Sequence, residues 1–192
     1  MPGQSHRAFL DERLQNADSA WRYSLLFSPT RMQNGLRSIY VFYLELEQIL
    51  FHSSDPDLRV ARLAWWQQEL DAAVKGRPNH PVTQSGLPNE ALQTMKAALN
   101  EEKTGGALFA AVQQLSGRKP DDAVFDAGQR WYQLRRARLR GKPVDDTPAA
   151  DSGNGLIRPL AILTEHTRRY DLDKAGFGPL LFAWQVARRS SA

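Results

Sequence analysis

The segment 39-IYVFYLELEQILFHS-53 is apolar around nearly its whole helical circumference, yet acids are set into it. At the ~100° per residue of an α-helix, Leu36, Tyr40, Tyr43, Leu44, Leu50 and Phe51 share one broad arc. Glu47 sits in the middle of that arc, while Glu45 and Gln48 point elsewhere. Such a helix wants a core around it, so a carboxylate there must be paired, protonated or turned to a polar cavity. Burying it bare costs several kcal/mol or shifts its pKa. Two readings follow: a salt bridge to an arginine of the next helix, Arg62, or a ligand site, working or vestigial.

The rest of the chain reads as helix too. Phe9, Leu10, Leu14, Ala17, Trp21 and Leu25 recur at helical spacing and predict a helix over 6–26. Ser28-Pro29 supplies an N-cap and a proline at the first helical position, opening a helix to about Phe51. Asp55-Pro56 repeats the device and opens a third, to about Lys75. Gly76, Pro78 and Pro81 mark a loop. Helices are then expected over 88–102, 107–116 (after an interruption at Gly105-Gly106) and 120–140. Residues 141–155, GKPVDDTPAADSGNG, have the composition of a flexible loop, and 156–189 holds two helical segments broken by Gly176, Gly178 and Pro179. With no β alternation and no internal repeat, the expectation is a single all-α domain over 1–192.

Few chemical motifs are present. There is no cysteine, hence no disulfide frame, thiolate metal site or cysteine nucleophile. His6, His52, His80 and His166 lack metal-ligand spacing, and no dinucleotide, P-loop or GxSxG pattern occurs. No leader and no run of roughly 18 apolar residues is visible. The expectation is a cytoplasmic protein with peripheral contact at the inner membrane still open. In the third helix, 62-RLAWWQQEL-70, Leu63, Trp66, Leu70 and Val74 form a core stripe, with Arg62, Trp65 and Glu69 along its edge. Adjacent tryptophans point to packing before a ligand box. On 128-GQRWYQLRRARLRGK-142, Ala127, Trp131, Tyr132, Leu134 and Leu139 cover one side, and Gln133, Arg136 and Arg140 share another. That basic face suits phosphate, RNA or plain solvent. A formal net charge of +4 is mild, which favours anionic partners without implying a nucleic-acid tail.

Three segments together resemble the squalene/phytoene synthase family of head-to-head prenyl synthases, which have the all-α isoprenoid-synthase fold. They are 19-SAWRYSLLFSPTRMQNGLRSIYVFYLELEQI-49, 60-VARLAWWQQELDAAVKGRPNHPV-82 and 127-AGQRWYQLRRARLRG-141. The likeness runs over roughly residues 8–141 and is closest in the first 80. Family enzymes use two aspartate-rich motifs to hold Mg²⁺ ions, which bind two prenyl diphosphates. Here the first-motif positions fall on Glu47, Gln48 and Phe51, and the preceding arginine is Leu44. In the second motif Gln133 is kept, Arg136 stands at an asparagine position, and the acids fall on Arg140 and Val144. One glutamate facing arginines cannot supply the oxygen set of Mg²⁺.

The resemblance therefore implies a shortened member, truncated at the C-terminus, with both motifs degenerate and no cofactor expected. Glu47 and Gln133 would be remnants of the site, with Glu47 paired to Arg136 or Arg140. The leading expectation is a non-catalytic protein, a scaffold or assembly factor by analogy with a branch resembling respiratory complex I assembly factors, or a binder of isoprenoids. The alternative is a working prenyltransferase on prenyl diphosphates, with Arg130, Arg136 and Arg140 as the diphosphate clamp in place of Mg²⁺. Nucleic-acid binding through the basic helix ranks last.

Overall fold

The structure, a computed structural model, describes residues 6–141, 156–171 and 175–190. Apart from Gly141, the loop expected at 141–155, with Val144 in it, lies outside the described residues. Nine α-helices carry most of those residues: α1 (His6–Gln15), α2 (Ser19–Leu26), α3 (Thr30–Glu47), α4 (Pro56–Val74), α5 (Asn89–Ala97), α6 (Thr104–Leu115), α7 (Asp122–Leu139), α8 (Arg158–Arg169) and α9 (Phe177–Arg189). A π-turn at Gln48–His52 prolongs α3, and a 3₁₀ turn at Thr83–Ser85 lies between α4 and α5. The architecture is all-α, as the periodicity predicts.

α3 takes the centre because its second half is apolar on nearly every side. Met32, Leu36, Ile39, Tyr40, Phe42, Tyr43 and Leu46 are each at most 2% exposed, and α1, α2 and α6 pack around them. Its start differs by one residue from the expected one. Pro29 is the cap and Thr30 the first helical residue, while Ser28 Oγ donates back to the Ser24 carbonyl and so closes α2. Asp55 does cap α4, its carboxylate accepting the N–H groups of Asp57 (2.9 Å) and Leu58 (3.2 Å).

The continuous helix expected over 6–26 is two helices. Asp18 adopts extended backbone and accepts the Ala20 N–H at 3.0 Å, so it caps α2 and breaks the periodic run. The helix expected over 88–102 ends at Ala97, and the one expected over 107–116 begins at Thr104. Gly105 and Gly106 thus lie inside α6 rather than interrupting the chain. A Cβ on Gly105 would stand 2.3 Å from the Gly128 carbonyl oxygen, and one on Gly128 would stand 2.3 Å from that of Gly105. α6 and α7 therefore meet backbone to backbone, which only glycine permits.

The C-terminal helices complete the bundle. α8 packs on α2, and α9 on α8. Leu160 and Leu163 join the main apolar cluster. Polar contacts lock the docking: Ser24 Oγ donates to the Pro159 carbonyl at 2.9 Å, and Trp131 Nε1 donates to Thr167 Oγ1 at 3.0 Å. Among the described residues no helix is long and apolar enough to cross a membrane.

Candidate functional site

Glu47 ends α3 inside the protein, 6% exposed, and its partner is none of the expected arginines. Arg135 of α7 clamps it in a two-pronged pair: Nε binds Oε1, and Nη2 donates to Oε2 at 3.0 Å. The third nitrogen, Nη1, lies 2.7 Å from Asp18 Oδ2, so one guanidinium joins the end of α3 to the start of α2. Tryptophans wall the group. The guanidinium carbon is 5.0 Å from the Trp21 ring centre and 5.8 Å from that of Trp131. Burial works against the Arg135 charge, but the carboxylates of Glu47 and Asp18 outweigh it and hold the guanidinium protonated. Tyr43 stands beside this cluster, and burial followed by the Glu47 charge pushes its phenol well above the usual tyrosine range, so it stays neutral.

Arg62, the first expected partner, is on the far side of α3 and lines a surface cleft there. Arg136 pairs with Glu101 at 2.8 Å instead. Arg140 is exposed, as are Gln133 and Arg130. Both Arg136 and Arg140 rest on the ring of Phe51, at 5.6 and 5.7 Å. Phe51 itself stacks on Tyr132, ring centres 6.1 Å apart. Of the sequence-predicted residues, the fold thus gathers Arg136 and Arg140 at Phe51 and keeps Glu47 apart from them. Arg135 and Asp18 had a legible signal that periodicity alone passes over. Arg135 is four residues beyond Trp131 and so continues the buried stripe of α7, and Asp18 stands at a helix cap.

These residues do not fit a magnesium ion. Mg²⁺ needs octahedral oxygen donors. Both oxygens of Glu47 are taken by Arg135, the neighbouring motif positions present an exposed Gln48 and the Phe51 ring, and cations occupy the facing helix. Among the described residues no group of three or more His, Asp or Glu side chains is placed to hold a metal.

The tryptophan edge of α4 divides. Trp66 is core, edge-on to Phe42 with ring centres 4.9 Å apart, as packing predicts. Trp65 is 46% exposed. Glu69, expected beside it on the edge, is buried and organises the loop after α4. Its Oε1 accepts the N–H groups of Asn79 and His80, both at 2.9 Å, and the Thr83 hydroxyl. Burial alone would raise its pKa, but those hydrogen bonds prevail and lower it. A lowered folded-state value means that this stabilisation is complete above about pH 4.5 and is lost as the pH falls through the folded-state value. Glu69→Gln keeps an acceptor and removes the charge. It should cost about 1 kcal/mol near neutral pH and flatten the acid limb of stability against pH, measured by urea unfolding from pH 3 to 7. An unchanged acid limb would assign that limb to other carboxylates.

No curated protein and no solved structure matches the chain. A family model described as squalene/phytoene synthase matches residues 14–139, from α1 to the end of α7, and so takes in α3, Glu47 and Arg135. With well over half its length matched, the chain belongs to the squalene/phytoene synthase family.

Proposed function

We propose that this family member has given up metal-dependent prenyl transfer and serves as a scaffold on which other proteins assemble. One observation carries the reading. The carboxylate at the first-motif position is closed off by Arg135 inside a tryptophan-walled ion cluster, which ties three helices together rather than facing a substrate. Expected result: farnesyl diphosphate with Mg²⁺ gives no condensed product, and calorimetry shows no Mg²⁺-dependent binding. Turnover, or heat that appears only with Mg²⁺, would overturn it.

A second reading rests on the convergence of Arg136 and Arg140 at Phe51, two cations at one apolar ring. They form the clamp of a diphosphate-binding protein that needs no metal, since arginine matches phosphate oxygens in pairs. In that case farnesyl diphosphate binds equally with and without Mg²⁺, and Arg140→Gln weakens it about tenfold.

We place the protein in the cytoplasm, with α9 as its contact to the membrane surface. Phe177, Leu181 and Trp184 recur at i, i+4 and i+7 and are 78%, 41% and 42% exposed. Arg188 covers Trp184, Arg169 covers Phe182, and α9 carries no acid. An apolar stripe rimmed by arginines suits an interfacial helix on anionic lipid. Sedimentation with phosphatidylglycerol vesicles should carry the protein down, and a Phe177→Ser/Trp184→Ser variant should stay in solution.

A further inference from the structure

The far side of α3 holds a second, different site. Glu45 is two residues from Glu47, so it points ~200° away from the Arg135 cluster. There, Glu45, Gln48, Arg13, Arg62, Trp65 and His80 surround an open cleft of about 390 Å³, a volume in the range of small-molecule sites. The π-turn at Gln48–His52 begins at this wall, and such turns recur at functional positions.

The polar groups of the cleft are mostly donors left without protein partners. The Arg13 guanidinium is already engaged by Glu45, so those two charges cancel. Among the described residues, no acid pairs with Arg62, and no hydrogen bond engages the exposed Gln48 amide. His80 is packed edge-on by Phe9, Trp65 and Trp66, with ring centres at 5.4, 5.6 and 4.9 Å. Its Nδ1 accepts the Val82 N–H at 3.3 Å, so in the neutral ring the proton sits on Nε2, a third donor. Beside these donors the Trp65 indole, edge-on to His80, stays 46% exposed, although its neighbour Trp66 is buried. One spare positive charge, neutral donors and an open indole face make a pattern that suits a particular chemistry. We infer that this cleft binds a flat organic monoanion, an aromatic carboxylate, with the ring on Trp65 and the carboxylate on Arg62. The inference is independent of whether the chain retains prenyl transfer.

The test uses the full chain labelled with ¹⁵N and follows the indole N–H resonances during titration with 1-naphthoate. The Trp65 resonance should shift and saturate, while those of the buried Trp21 and Trp131 stay in place and report an intact fold. 1-Naphthylmethanol, which lacks the charge, and inorganic phosphate, which lacks the ring, should each bind at least about tenfold more weakly. Arg62→Gln and Trp65→Ala, both at exposed side chains, should each weaken 1-naphthoate about tenfold, the latter read on the remaining resonances and by calorimetry. Leu26→Ala, which removes an exposed apolar side chain elsewhere, should leave the affinity unchanged. The proposal falls if 1-naphthoate gives no saturable shift at Trp65. It falls equally if Arg62→Gln binds as the parent does, or if phosphate alone reproduces the shift, which would reduce the cleft to a charge patch.

Discussion

Replacing Arg135 with methionine lowers the free energy of unfolding by about 3–5 kcal/mol, measured by urea denaturation at neutral pH. The size follows from what is left behind. Glu47 stays buried without its two hydrogen bonds, and Asp18 loses the cation at 2.7 Å. Breaking a buried pair by deleting one partner strands a charge in a medium that solvates it poorly. The double variant Glu47→Leu/Arg135→Met removes both charges and should recover most of the loss, because an apolar pair of similar volume is often as stable as a buried ion pair. Asp18 still has the Ala20 N–H in that variant, so its carboxylate keeps a partner. A loss below about 1 kcal/mol in Arg135→Met would mean that the cluster is dispensable to the fold, and the scaffold reading would lose its main support.

Gly128→Ala costs about 3 kcal/mol, at the upper end of overpacking, for a reason unrelated to charge. The new methyl would meet the Gly105 carbonyl oxygen at 2.3 Å and the Gly106 Cα at 2.9 Å. Both are backbone atoms, which cannot rotate aside as a flexible side chain does. The two helices must move apart, and the buried faces of Trp131 and Tyr132 on α7 move with them. Gly105→Ala meets the same obstacle from the other helix, so the double variant should cost less than the sum of the two. Gly178→Ala is the matched control. Nothing lies within 4 Å of its Cβ, and its effect should stay within about 0.5 kcal/mol. Equal effects at Gly128 and Gly178 would show that the close crossing does not set the cost, since Gly→Ala by itself favours a helix.

Much of this fold is legible in the chain because its causes are local. Every described helix overlaps a stretch that reads as helical in the sequence, and Asp55-Pro56 is a capping device within two residues. The misreadings have one common source. Gly105-Gly106 looks like a break because glycine has low helix propensity, yet the contact with Gly128 more than compensates inside α6. The run over 6–26 looks continuous because its apolar positions stay in phase across Asn16–Asp18, while the break is set by a cap and an ion pair to a residue more than a hundred positions away.

The candidate site shows the same division. That Glu47 needs a partner follows from its place on an apolar arc, since a bare buried carboxylate is too costly to keep. Which partner it takes does not follow from any local pattern. Arg62, Arg135, Arg136 and Arg140 are all within reach of a plausible packing, and neighbouring residues on a helix differ by ~100° in direction. The rotation of α7 about its own axis, fixed by Gly128 against Gly105 and by Trp131 against Trp21, turns Arg135 inward and leaves Arg136 and Arg140 at Phe51. The helices, the central place of α3 and the need to neutralise Glu47 follow from the order of residues, because periodicity and desolvation act residue by residue. Which arginine does so emerges only on folding, because that choice depends on the crossing and rotation of helices brought together from distant parts of the chain.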